Sequence, residues 1–502
     1  MLLAAVVAAG LGLRLYDIDR TAFTLDEFWN AELSTGRGTL HERLPVNELT
    51  AFPPGTALAD APPWWHIPGS LDEVTHPPLY SIALRGWRTV FGRFDGDAAM
   101  RAYSAVCGAA AIVPLFLAVR RLNGPSTALW ACAVYAVAAT AIGSSREVRP
   151  YGQLTFLTTL LAWQVVRMET RRAGWGASIG LATTALAMAL THYFALPLLG
   201  AVALYAATRL DRASLYRPAT AVAVAGLLYA GLWGPSMLRQ RGEVRESAQV
   251  WMRDPAPTPA ASAVLRFADL PIRVLIPPRK ATYPAPYAAI VFVLAAALLA
   301  WRGCRSDLGV WLATFAGVAG FLLVLDLSQG TRMMHLIRYA MPAGPAMAAL
   351  LCAVLCGLRR PLGIIAPAAL VTALLLSTAA AYQVDDYDFR QFAAELDRSV
   401  DRREDVVLFA QQPEMPWEAG FLYVAWSHYS RDAARARCAV LAPPPPAALL
   451  EQMRSARRVW LVATVAAQPA ALDALPGWRV TEHRAFLFIG DVMRIEPAEP
   501  AP

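Results

Sequence analysis

Arg120-Arg121-Leu122-Asn123-Gly124, then PSTALWACAVYAVAATAIG over 125–143, then Ser144-Ser145-Arg146-Glu147-Val148-Arg149-Pro150-Tyr151: this stretch decides the architecture. A basic pair opens an uncharged apolar run of about 20 residues, the length needed to cross a bilayer. The run closes on a short charged turn, and a second apolar run follows at once. Charge placed directly against hydrocarbon calls for a partner or a function.

The same unit recurs along the chain. Apolar runs over 1–16, 99–119, 125–143, 151–167, 174–190, 193–208, 217–238, 285–301, 307–326, 336–357 and 361–381 predict about eleven spans. Arginines test this threading, because Lys and Arg accumulate on cytoplasmic loops. Arg120 and Arg121, Arg167, Arg171 and Arg172, Arg209, Arg212 and Arg217, Arg302 and Arg305, and Arg359 and Arg360 all fall on one side. That side is read as cytoplasmic, which sends 17–98, 144–150, 239–284, 327–335 and everything after 381 outside. Counting the apolar but arginine-bearing Pro78–Phe94 as a span inverts the alternation, so it is read as an amphipathic helix in the outer interface. Met1–Leu13 lacks a basic lead-in and runs into Arg14 and an acidic loop, which favours a short first span over a signal peptide.

Composition agrees. The 502 residues are 56% hydrophobic and 17% charged, more apolar than a soluble chain. The net charge of +7 does not point to nucleic acid, since the arginines sit in short loops rather than on a basic stripe. Six cysteines, four of them in apolar runs, suggest neither a disulfide framework nor a zinc site, and Cys352 and Cys356 read as packing. No P-loop, HExxH or GxSxG occurs, which removes support for ATPase, zinc protease and serine hydrolase chemistry.

After residue 381 the pattern changes. Val406–Phe409, Cys438–Leu441, Val459–Val465 and Phe486–Ile489 read as strands and Ala447–Arg457 as a helix, a small α/β domain with Pro443–Pro446 as a rigid connector. The expected organisation is therefore a membrane domain, 1–381, whose first external loop is 17–98, and an external α/β domain, 382–502.

Chemistry-bearing residues gather on the expected outer face. Leu25-Asp26-Glu27-Phe28-Trp29-Asn30 puts two carboxylates close to the end of the first span, though acidic residues in a helix's first turn also serve as caps. The same loop ends in His76-Pro77-Pro78-Leu79-Tyr80. Arg146, Arg149 and Tyr151 occupy the turn quoted above, and Thr331-Arg332-Met333-Met334-His335-Leu336-Ile337-Arg338-Tyr339 repeats the situation. Carboxylates beside cationic loops suit a reaction whose leaving group is a lipid phosphate: a carboxylate takes a proton from an acceptor hydroxyl and arginines stabilise phosphate charge. Headgroup contact is the competing reading of each external arginine, and for Arg279 and Lys280 the two stand level. His192, at the expected external junction of two spans, has two readings, a substrate contact and, favoured, a histidine satisfied by neighbouring backbone.

At these residues the sequence resembles the GT-C fold membrane glycosyltransferases, in particular the protein O-mannosyltransferase and lipid A aminoarabinose transferase superfamily. Asp26-Glu27, His76-Pro77-Pro78-Leu79-Tyr80, Arg149-Pro150-Tyr151 and Arg338-Tyr339-Ala340-Met341-Pro342 match its landmarks in order, over about residues 1–380. The resemblance implies an inverting transferase that moves a sugar from a polyprenyl-phosphate donor to a lipid, glycan or protein acceptor on the outer face of a plasma (inner) membrane. Asp26 then matches the catalytic base, with Glu27 as helper or cap. The substrate-binding set is His76, Tyr80, Arg146, Arg149, Tyr151, Arg332, His335 and Arg338, with Arg149 and Arg338 on the donor phosphate and His76 shaping the acceptor side. A divalent metal is left open, since Asp26, Glu27 and His76 have no recognisable ligand spacing. The departure is a Pro- and Trp-rich insertion that includes Phe52-Pro53-Pro54-Gly55 and Pro62-Pro63-Trp64-Trp65-His66. A flippase of lipid-linked saccharides is the alternative, and predicts mid-membrane charges and an internal repeat, neither of which stands out. An anchoring protein, with the tail as its working part, is the third reading.

Overall fold

A computed structural model of the chain describes residues 1–72, 74–91, 96–171, 173–247, 260–277, 308–381, 388–401, 404–412, 415, 417–430, 433–486 and 489–498. They form two compact units, Met1–Ile18 with Asp72–Val384 and Asp19–Leu71 with Asp385–Pro502.

The first unit is helical. The N-terminal run folds as Leu2–Leu15. Helices Asp97–Ala110 and Ile112–Asn123 join into one apolar rod of 27 residues. Among the described residues five helices are long and apolar enough to cross a membrane, or six with one bent pair, against the eleven expected. Helix length accounts for part of the shortfall: Leu2–Leu15, Trp175–Ala189 and Ala195–Arg209 stand at expected positions but have 14, 15 and 15 residues. At 1.5 Å per residue they rise only about 21–23 Å, short of a hydrocarbon core of about 30 Å. The expected span 285–301, together with Arg279 and Lys280, lies outside the described residues. Of Pro78–Phe94, expected at the outer interface, Leu79–Val90 is a helix that buries Tyr80, Ser81, Leu84 and Arg88, and residues 92–94 lie outside the described residues.

The bent pair is Pro125–Val137 and Ala139–Ser145, turned by 60° where Ala138 takes an extended conformation. A break frees carbonyls that in an apolar setting must find donors. They find them in side chains. Arg14, fully buried, donates to the carbonyls of Ala136 (3.2 Å) and Gly10 (2.9 Å), and Thr378 Oγ1 donates to that of Val137 (2.7 Å). The bend leads directly into the 146–150 turn, so a cation in the first helix helps to set where that turn emerges.

The second unit is a six-stranded sheet, β1 Thr50–Ala51, β2 Val406–Ala410, β3 Arg437–Leu441, β4 Val459–Ala463, β5 Trp478–Phe486 and β6 Gly490–Pro497, in the order β1-β3-β2-β4-β6-β5. Strands β3, β2 and β4 run parallel, and every residue of β2 and β4 is buried, as expected of central strands covered on both faces. Three of the strand-like runs and the helix, here Ala447–Ser455, lie where the sequence placed them. Of the fourth expected run, Phe486–Ile489, Phe486 ends β5, the Ile489 amide donates to its carbonyl at 3.1 Å, and residues 487–488 lie outside the described residues. Strand β5 itself is mostly exposed and carries a polar sequence.

Residues 19–71, expected with the membrane domain, cluster with the tail. Thr50 and Ala51 pair antiparallel with Cys438 and Arg437. Asn47, at φ 57°, donates from Nδ2 to Ala442 O (2.9 Å) and accepts at Oδ1 from Ala442 N (3.0 Å). Tyr423 OH donates to Phe52 O (2.8 Å), and Gly420 lies so close to the His41 carbonyl that a Cβ there would stand 1.9 Å from its oxygen.

Candidate active site

In the second unit the Asp26-Glu27 pair opens the helix Leu25–Leu33. Its two carboxylates have different surroundings. Glu27 is fully buried and closes a capping box: its Oε2 accepts from the Thr24 amide at 3.0 Å and from Thr24 Oγ1 at 3.3 Å. Asp26 is partly exposed in the first turn of the same helix. One turn on, Glu32 and His41 form a buried pair, Oε2 to Nδ1 2.5 Å, with the His41 ring stacked on Phe421 at 3.8 Å. Sequence reading missed that pair, because nothing local links positions nine apart across a helix end.

In the first unit the charged turns converge. Gly152 makes this possible: a Cβ there would lie 2.4 Å from Ser104 O, so only glycine lets the start of helix Tyr151–Thr170 rest on helix Asp97–Ala110. Ser104 Oγ bonds Tyr80 OH (3.0 Å) and donates to Arg149 O (3.1 Å). The Leu79 amide donates to Leu190 O at 2.9 Å. His76 thus stands next to His192, ring centroids 6.2 Å apart, and His192 lies 5.8 Å from Tyr151 and 6.3 Å from Tyr339. The Arg149 guanidinium lies 5.4 Å from the Tyr151 ring centre, and that of Arg338 5.4 Å from Tyr339. Two arginines, two tyrosines and two histidines form one cluster, with Arg149 only 4% exposed.

The 331–338 turn is held from below. Asp326 accepts from Thr331 Oγ1 (2.7 Å) and from the amides of Met333 (2.7 Å) and Met334 (3.0 Å). Arg273 donates to the carbonyls of Met334 and His335, both at 2.9 Å. This scaffold presents Arg338 to the cluster and leaves His335 exposed, with Arg332 partly buried. Arg146 points elsewhere and donates to the Asp17 carbonyl. Tyr80 is 2% exposed, so its hydroxyl positions Ser104 and the Arg149 backbone. His192, which the sequence read as satisfied by backbone, does accept the Phe194 amide at 3.1 Å, and it also joins the cluster. Among the described residues no three His, Cys, Asp or Glu side chains gather as a cation's donor set.

Residues 75–233 match the family model of dolichyl-phosphate-mannose-protein mannosyltransferases. The structure superposes on ArnT from Cupriavidus metallidurans, solved bound to undecaprenyl phosphate, with a TM-score of 0.57 at 12% identity over 99% of each chain. The chain has the fold of a GT-C membrane glycosyltransferase. A second likeness is to the Archaeoglobus fulgidus oligosaccharyltransferase in its apo form, TM-score 0.50 and 12% identity over 92% of this chain and 69% of that one. No curated protein matches in sequence. The family match includes His76, Arg149, Tyr151 and His192, while Asp26 and Arg338 lie outside it.

Electrostatics separates the histidines from the arginines. Burial, then the Arg338 charge, pulls His76 down to about 4. Burial, then His76, Arg149 and Arg338, pulls His192 down to about 3. Both rings are neutral near pH 7, so the cations of the cluster are the guanidiniums. In the unfolded chain the same rings take up protons near pH 6.5. Their contribution to stability is therefore complete above pH 6.5 and is lost as pH falls towards 4 and then 3. The thermal midpoint in detergent should drop across that window, and less steeply for His192→Asn. An equal slope in that variant would remove His192 as a source.

Proposed function

We propose that the chain is an inverting glycosyltransferase that takes a sugar from a polyprenyl-phosphate donor and passes it to a lipid, glycan or protein acceptor outside the cytoplasm. The observation that carries this reading is the convergence of Arg149 and Arg338 with Tyr151, Tyr339 and two neutral histidines. Two guanidiniums that no neighbouring imidazolium accompanies suit the dianionic phosphate that departs as the glycosidic bond breaks. The undecaprenyl phosphate bound to ArnT supports a lipid-borne phosphate as the ligand. Asp26 takes the proton from the acceptor hydroxyl as its oxygen attacks the anomeric carbon opposite the leaving phosphate, which inverts that centre. Glu27, held in its capping box, orients the helix that carries Asp26. His76 shapes the acceptor side.

Membranes containing the protein should transfer label from a radiolabelled polyprenyl-phosphate sugar to acceptor, and none from a sugar nucleotide. Label that crosses the bilayer still attached to its polyprenyl phosphate would replace this reading with a flippase.

The outer location rests on the arginine alternation. Reporters fused after Arg121 and Arg360 should read cytoplasmic and one after Asp388 external. External signals from the first two would invert the topology.

A further inference from the structure

The Pro- and Trp-rich insertion, which the proposed chemistry leaves unused, lines a cavity of about 430 Å³ within the second unit, walled by Gly36, Arg37, Arg43, Trp65, His66, Gly69 and Ser70. We infer that this cavity binds a saccharide ring bearing an anionic group, phosphate or carboxylate, and is a second sugar-recognition site on this protein.

Four observations support it. The volume falls in the range of small-molecule sites. Trp65 is 62% exposed, and an indole face kept out in water beside a cavity is a surface on which the C–H face of a pyranose packs. Arg37 and Arg43 supply positive charge, and among the described residues no carboxylate lines the same wall. The charge of Arg37 is fixed in place, because its guanidinium donates to the carbonyls of Pro54 (3.1 Å), Ala57 (2.8 Å) and Ala59 (2.5 Å). Arg43 is exposed and completes a cationic edge, to which an anion binds by charge-assisted hydrogen bonds.

The walls are preorganised. Gly36 and Gly38 take φ of 81° and 74°, a region open to glycine, and a Cβ on Gly38 would stand 2.8 Å from Ser70 O. The 36–43 and 65–70 segments therefore pack backbone to backbone and leave the floor to Gly69 and Ser70, where a hydroxyl-rich ring meets no bulky side chain. Binding itself is independent of the proposed transfer reaction.

The test is titration of the purified full-length protein in detergent with glucose 6-phosphate and with glucose, read by saturation-transfer NMR, with inorganic phosphate, which has no C–H protons, added as a competitor of the glucose 6-phosphate signal. Vesicles of phosphatidylcholine with phosphatidylglycerol serve as a competing lipid surface. Glucose 6-phosphate should saturate and bind at least ten-fold more tightly than glucose or inorganic phosphate. Arg43→Gln and Trp65→Ala should each weaken it at least ten-fold with an unchanged thermal midpoint, and Trp65→Phe should restore most of it. Sugar-phosphate binding that is absent, or indifferent to Arg43→Gln, overturns the inference. So does an Arg43→Gln defect seen only on the anionic vesicles, which would mark a headgroup contact. Binding that persists in an Asp26→Asn variant with wild-type transfer would leave this site standing while the transfer mechanism fails.

Discussion

Asp26→Asn should lower transfer from a polyprenyl-phosphate donor by about two to four orders of magnitude, the range of a positioned general base, with protein level and thermal midpoint unchanged. Asparagine keeps the shape of the side chain and removes the proton acceptor. The neighbouring residue provides the control. Glu27 reaches back to the Thr24 amide, and glutamine at that position also completes a capping box. Glu27→Gln should therefore transfer at close to the wild-type rate, and Glu27→Ala should cost about 1 kcal/mol of stability rather than chemistry. Wild-type transfer by Asp26→Asn would end the mechanism. Loss of transfer by Glu27→Gln alone would move the base by one residue.

The second large effect belongs to the cationic cluster. Arg338→Gln and Arg149→Gln should each reduce transfer by about 100- to 1,000-fold, as expected when a group that stabilises developing charge is removed. Inhibition by free polyprenyl phosphate should weaken in parallel, because the same guanidiniums hold that anion. Lysine at either position should recover part of the loss, since it restores charge without the planar fork. A structural readout accompanies this. The Arg338 charge, after burial, holds His76 near 4, so Arg338→Gln should raise the pH at which that imidazole protonates. Folded variants with unchanged transfer and unchanged inhibition would exclude the cluster from phosphate binding.

The charged turns themselves were legible. Arg146-Glu147-Val148-Arg149 and Arg332 to Arg338 stood out because charge interrupts apolar runs, a local signal. Where each member of a turn points was not legible. Arg146 and Arg149 are three positions apart, yet one donates to the Asp17 carbonyl and the other lies over Tyr151. The Tyr80 hydroxyl, read as a substrate contact, is buried against Ser104. His192 enters the cluster only because Leu79 bonds Leu190, a contact between segments more than a hundred residues apart.

The sequence by itself determined the membrane-protein composition, most of the apolar helices, the α/β tail and the adjacent carboxylates. Each of these depends on short-range periodicity, on bilayer thickness, or on charge next to hydrocarbon. The tertiary structure decided which carboxylate caps the helix, which arginines cluster with neutral histidines, and that residues 19–71 pack with the tail. The last shows the physical reason most clearly. Thr50 and Ala51 show no strand pattern of their own, and become β1 only where Cys438 and Arg437 offer an open sheet edge while Asn47 bonds Ala442, 395 positions away. Hydrogen bonds of that span leave no periodic trace in a chain, because their partners are set by the folded backbone.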